Sequence, residues 1–118
     1  MKTALAVLVV SASLLVASAA FGSSSATTLK GTVGPGFTIS LKHNGVLAKT
    51  LRAGTYTFVI SDRASIHNFV LEGPGVERDI TTVPFTGTKT VTIKLRKGKY
   101  KYYCRPHESL MFGFVRVT

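Results

Sequence analysis

The segment Tyr102-Tyr103-Cys104-Arg105-Pro106-His107-Glu108-Ser109-Leu110-Met111-Phe112-Gly113 places a thiol, an imidazole and a thioether close together on one stretch of chain. These donors have complementary tastes. Soft sulfur suits Cu(I), imidazole serves Cu(II) well, and two histidines, one cysteine and a weak methionine form the donor set of a copper site that passes electrons. A rigid site between the two ions' preferred geometries needs little rearrangement when an electron moves. A tight loop cannot supply the whole set, so a second imidazole has to come from elsewhere. His67, in His67-Asn68-Phe69, is best placed to do so. His43 precedes the turn pair Asn44-Gly45, has no sulfur nearby, and reads as a surface residue.

Taken singly, each of these residues has an ordinary role. Cys104 serves as a small buried hydrophobe, Met111 as core filling, His67 as a hydrogen-bonded residue at a strand end. Their joint occurrence favours a shared metal. Pro106 removes a backbone N–H close to the thiolate, which bears on the charge that sulfur gives to a metal. It is also simply a rigid turn residue, and both roles are compatible.

The elements that must position these side chains read as strands. Phe37, Ile39 and Leu41 alternate with Thr38, Ser40 and Lys42, the period of a half-buried strand. Asn44-Gly45 follows as a hairpin turn. Further runs cover 46–51, 55–61, 67–71, 91–95, 100–104 and 112–117, separated by Gly- and Pro-bearing turns at 53–54, 73–75 and 97–99. No segment after residue 22 has helical periodicity. The expected fold class is all-β: an antiparallel Greek-key β-sandwich of about seven or eight strands.

The chain of 118 residues is enough for one domain. At 45% hydrophobic it is too apolar for a disordered tail. A single Cys excludes an internal disulfide framework and a zinc site built from several cysteines. Met1-Lys2, the apolar stretch over 3–17 and Ala17-Ser18-Ala19 match a secretory signal peptide with its cleavage site. The competing reading is a single membrane anchor, which the short apolar run and the lack of a positive cluster after it disfavour. The expected organisation is a cleaved signal and cleavage region over 1–22, a flexible linker over 23–28, and one domain over 29–118. Fifteen Lys+Arg against five Asp+Glu give a formal charge of +10. Lys94, Arg96, Lys97, Lys99, Lys101 and Arg105 cluster late, as solvated strand and turn residues or as a field that steers an anionic partner or surface. No nucleic-acid motif accompanies them.

Tyr-Tyr-Cys-x-Pro-His, then Met-x-Gly, with His-Asn upstream, resembles the plastocyanin-like blue copper proteins, or cupredoxins. The resemblance extends from about Leu29 to Thr118. It implies a cupredoxin-like sandwich holding one copper ion, Cu(I)/Cu(II), on His67, Cys104, His107 and Met111, with both histidines binding through Nδ1. It implies that Asn68 ties the two ligand-bearing loops together and that Phe69 is core. Two departures stand out. The Cys104–Met111 interval lies between those of plastocyanins and amicyanins. Arg105 also stands where plastocyanins usually carry Ser or Thr, so the usual bond from Asn68 to that hydroxyl cannot form and a backbone contact is left to replace it.

For electron entry, Leu110 and the Pro35-Gly36 and Pro74-Gly75 turns are expected to ring the outer edge of His107 with apolar surface. Tyr103 is a second possible route: with Cys104 pointing inward, alternation sends Tyr102 inward and Tyr103 outward. The expected function is that of an exported one-electron carrier, periplasmic or at the cell envelope. It would be a monomer serving acidic redox partner proteins, without nucleic acid and without a membrane span once the signal is removed. Association with an anionic surface is compatible with the charge. No Ser-His-Asp set or pair of catalytic carboxylates is apparent, so no enzyme is expected. Copper storage, delivery or resistance is the alternative, which Met-rich or exposed sites would favour, and a metal-free structural sandwich is a third reading.

Overall fold

Along Gly54–Asp62 the side chains of Tyr56, Phe58, Ile60 and Asp62 are buried in turn, while those between them are at least partly exposed. This period of two makes one strand face a core and its other face water. The computed structural model describes residues 12–13 and 25–118. It contains ten strands: β1 Thr27–Val33, β2 Ile39–His43, β3 Val46–Leu47, β4 Thr50–Leu51, β5 Gly54–Asp62, β6 Val70–Gly73, β7 Val76–Asp79, β8 Gly87–Leu95, β9 Gly98–Tyr103 and β10 Phe112–Val117. A single 3₁₀ turn, Arg105–His107, is the helical element among the described residues.

Two five-stranded sheets, in the orders β3-β2-β1-β5-β8 and β4-β10-β9-β6-β7, face each other across the core. Leu29, Phe58, Ile60, Phe69, Tyr100 and Val115 meet between them. The all-β sandwich is the architecture expected. Its strands are more numerous, because the run over 46–51 divides into two short strands that join different sheets, and because β1 and β7 carried no clear alternation. The sheets are also mixed: β1 runs parallel to β5, and β4 parallel to β10. β1 begins two residues inside the segment read as linker, since Thr27 and Thr28 pair with Tyr56 and Thr57. The signal-peptide reading over 1–22 lies outside the described residues except at 12 and 13. Among the described residues no helix is long and apolar enough to cross a membrane.

Register brings the chemistry to one end. Val33 at the end of β1 pairs with Asp62 at the end of β5, and Asp62 pairs with Gly87 at the start of β8. In the other sheet Val70, Tyr103 and Phe112 stand abreast. The connections 34–38, 63–69, 80–86 and 104–111 therefore emerge together. The opposite end carries the Asn44-Gly45 hairpin, the Gly73-Pro74-Gly75 turn and the β8–β9 turn with Lys97.

Candidate metal centre

Cys104 follows β9 in extended conformation and caps the 3₁₀ turn, with Pro106 in its first turn, where a missing N–H costs nothing. The loop then closes on itself. His107 N–H donates to the Cys104 carbonyl at 3.2 Å, Met111 N–H to the His107 carbonyl at 2.9 Å, and Cys104 N–H to the Met111 carbonyl at 3.0 Å. The last of these bonds holds Cys104 and Met111 across from each other, and both residues are buried. Gly113 follows because the Tyr102 ring lies over it: a Cβ there would collide with the phenol. Met-x-Gly is thus partly a packing requirement set by the inward tyrosine, which stacks on Phe69 at 5.7 Å.

His67 comes from the 63–69 connection and is fully buried. Its N–H donates to the Ala64 carbonyl at 3.3 Å. Two residues on, Phe69 N–H donates to Thr81 Oγ1 at 2.9 Å while Ile80 N–H donates to the Phe69 carbonyl at 2.8 Å. Asp62 Oδ1 accepts from Ala64 N–H at 3.3 Å, and the Thr81 side chain favours the ionised form of the same carboxylate. The segment before β6 is therefore pinned on both sides. Burial pushes the Asp62 carboxyl above the usual carboxylate range, with the Thr81 side chain, the Ala64 hydrogen bond and the nearby His67 pulling the other way. Among the described residues, the buried side-chain polar atoms without a hydrogen-bond partner are Asp62 Oδ2 and His67 Nε2.

His67 Nδ1 and His107 Nδ1 lie 3.1 Å apart, and each is 3.7 Å from Cys104 Sγ. Donors that share an ion cannot stand further apart than the sum of their two bonds. With bonds of about 2.0–2.1 Å to nitrogen and about 2.3 Å to sulfur, as zinc shows, all three separations pass that test. Among the described residues, His67, Cys104 and His107 are those whose donor atoms cluster as a metal would require. His43 lies elsewhere, at the end of β2. A soft thiolate with two imidazoles and a neighbouring buried thioether selects copper within the first-row metals.

The family model described as copper binding proteins, plastocyanin/azurin family, matches residues 40–118. This chain belongs to that family. Copper, one ion per chain, is its cofactor. Among solved structures, reduced rusticyanin is similar at 22% identity and a TM-score of 0.54, over 80% of this chain and 82% of that one. Auracyanin A, a "blue" copper protein from the green thermophilic photosynthetic bacterium Chloroflexus aurantiacus, is similar at 18% identity and a TM-score of 0.52, over 80% of this chain and all of its own. These likenesses support the fold. A search of the curated proteins returned no match.

The residue after Cys104 departs from the family's habit, and the structure shows the replacement. Asn68 Oδ1 accepts the backbone N–H of Arg105 at 2.8 Å, so the two ligand-bearing loops are joined without a hydroxyl. The Arg105 side chain adds a second tie. Its guanidinium donates to Asp79 on β7 at 2.6 and 3.3 Å, and Asn68 Nδ2 donates to the same carboxylate at 3.3 Å. The hydrogen bonds and charge of Asp79 hold the guanidinium protonated even more firmly than usual. Sequence reasoning missed Asp79, which carried no signal because the strand it ends was itself not read.

Three surface expectations change. Phe37 is not an inward strand residue. Gly34 N–H closes a turn onto the Thr38 carbonyl at 2.9 Å, so β2 starts only at Ile39. Phe37 instead stands 57% exposed, its ring edge-on to His107 at 4.9 Å and to His67 at 5.5 Å. The Pro74-Gly75 turn is not at the site. β6 runs away from the ligand end, and Pro74 packs on Gly98 at the far end of β9. Leu110 is exposed on the ligand loop, as expected. Tyr103 faces away from the core yet is only 3% exposed, because Lys101 and Arg105 lie over its ring at 5.1 and 5.7 Å. Desolvation is the main cause that lifts its phenol above the usual range.

Proposed function

We propose that this protein is an exported one-electron carrier whose copper is held by His67 Nδ1, Cys104 Sγ, His107 Nδ1 and the Met111 thioether. The observation that carries this reading is the convergence of the two Nδ1 atoms on a buried sulfur. Bound copper supplies the Cu(I)/Cu(II) couple. The chain's own contribution is stiffness. Both ligand-bearing segments are fixed by backbone hydrogen bonds and tied to each other through Asn68, so the donors keep their places in either oxidation state. Phe37 packs T-shaped against both imidazoles, and His107, half-buried beside it, offers the way in for an electron. The reading is that of a carrier and not of an enzyme. Copper storage or delivery would need a site that opens, and nothing in the closed 104–111 loop favours it.

The excess of basic residues supports an acidic redox partner, which a positive field would steer. The reading includes a monomer working outside the cytoplasm after removal of a signal over 1–22. One preparation tests both parts. Protein recovered from the envelope or medium should have an intact mass starting near Ala20 or Ser23. With Cu(II) it should show an intense visible thiolate-to-copper band and a small parallel hyperfine splitting. Cys104→Ser should lose the band. A Ser variant that kept the band, or copper passed irreversibly to an acceptor without redox cycling, would sink the carrier reading.

A further inference from the structure

On the outer face of the second sheet, β9 and β10 pair Tyr103 with Phe112, Lys101 with Phe114 and Lys99 with Arg116. Residues directly opposite in an antiparallel pair share a face, so cations and aromatic rings alternate along it. Phe112 and Phe114 are 47% and 46% exposed and meet edge to face at 5.8 Å. Lys99 Nζ sits 4.2 Å from the Phe114 ring centroid, and Lys101 Nζ sits 5.4 Å from that of Phe112. The ion pairs among the described residues are Lys101–Glu108 and Arg105–Asp79. Lys99 and Arg116, both exposed, therefore form no ion pair among the described residues. A cleft of ≈ 400 Å³ lined by Glu72, Lys99, Lys101, Glu108 and Phe114 opens on the same face.

We propose that this face is the docking surface for an acidic protein partner, with Phe112 and Phe114 as apolar anchors and Lys99 and Arg116 as the cations that meet its carboxylates. The charges decide the occupant. A strongly basic molecule with two unpaired cations beside half-exposed rings is complementary to a surface of mixed carboxylate and apolar character. Glu72 and Glu108 flank the cations. A uniformly anionic lipid layer would repel them, whereas a folded partner can place its own groups to avoid them. Single-stranded nucleic acid binds by stacking bases on free ring faces, but lysine ammonium groups lie over both phenyl rings, so stacking is disfavoured. Phe112 also stands opposite Tyr103, which adjoins Cys104, so a partner seated here lies over the strands that lead to the sulfur. The partner's redox role rests on the carrier reading, while the contact itself is tested by binding alone.

The test is a titration of the copper-loaded, isotope-labelled protein with a synthetic peptide of glutamates interspersed with leucines, followed by amide NMR. Shifts should centre on Lys99, Lys101, Phe112, Phe114 and Arg116. The double variant Phe112→Ser/Phe114→Ser should weaken binding about tenfold or more, and Lys99→Glu/Arg116→Glu should weaken it and flatten its salt dependence. An unchanged melting temperature shows that each variant is folded. Shifts centred on Phe37, His107 and Leu110, or affinity indifferent to both double variants, would overturn the assignment. So would binding of anionic phospholipid vesicles or an oligonucleotide through these residues when the peptide does not bind. A mapped peptide site on a protein lacking the visible band would fail the carrier reading and keep the surface. A protein with the band but no peptide site would do the reverse.

Discussion

The two imidazoles of the site live in opposite surroundings. His67 is sealed, with Gly34 and Ala64 packed around it; a Cβ at Gly34 would stand 3.2 Å from the His67 ring and 3.1 Å from the Ala64 methyl. Its backbone belongs to a hydrogen-bonded segment held from β5 and from the 80–86 connection. His107 rides on a 3₁₀ turn of the ligand loop, half-buried, with a solvent-exposed phenylalanine packed perpendicular to it. One histidine closes the site from behind and the other borders its surface. The same donor atom, Nδ1, is presented from a rigid wall and from a surface loop, which lets one pocket be both inflexible and reachable.

Removing the rings should break this symmetry most sharply. His107→Gly opens a notch to solvent, so added imidazole should enter and restore much of the visible copper band. His67→Gly empties a buried space behind the loops, with a cavity cost on top of the lost donor, and added imidazole should restore little. Titrating both variants with imidazole while following the band checks this. Equal rescue of the two would mean that His67 is as open as His107, against its full burial.

A smaller effect separates the tie between the loops from the ornament upon it. Asn68 is 1% exposed and accepts the Arg105 N–H. Asn68→Ala leaves that donor without its partner and should cost about 1–3 kcal/mol in denaturant unfolding. The Arg105–Asp79 pair is far more open, with side chains 47% and 40% exposed, and exposed pairs are screened by water and salt. Arg105→Gln should therefore destabilise much less than Asn68→Ala, because its backbone N–H still reaches Asn68. A larger loss from Arg105→Gln would shift the weight of the tie from the backbone bond to the ion pair.

The same contrast explains which parts could be read without coordinates. The ligand loop was legible because its donors are close in sequence and their chemistry is unusual in combination. Asn44-Gly45 and the strand runs over 55–61 and 91–95, which fall in β5 and β8, were legible because local sterics and β-type composition set them. β1 was not: Thr-Thr-Leu-Lys-Gly-Thr-Val has few large apolar residues, and Gly31 leaves room for Ile60 and Phe69 rather than filling it. The strand forms through parallel pairing with β5, a partner remote in sequence. Phe37 shows the limit of periodicity. Its place in an alternating run pointed inward, but the turn over 34–38 ends the pattern and hands the ring to the histidines. Asp79 belongs to the same class, since its meaning depends on two residues that only the fold brings near.

The smallest effect concerns the wall behind His67. Asp62 is 2% exposed, one of its oxygens has no hydrogen-bond partner, and burial raises its pKa in the folded protein. In the unfolded chain it titrates near the ordinary value of about 3.9. As pH climbs past that value, the unfolded state gives up its proton first and the folded state keeps it. The folded state then binds more protons, so stability falls until the folded carboxyl ionises in turn, and levels off above that point. Asp62 thus adds a penalty that is absent in acid and grows as pH rises above the unfolded value. Asp62→Asn removes the ionisation while leaving a carbonyl to accept from Ala64. Urea unfolding of the metal-free protein should show the variant gaining on the wild type as pH rises through the carboxylate range, with no gain in acid. A constant offset between the two at every pH would mean that shape and not charge is what Asp62 contributes behind the buried imidazole.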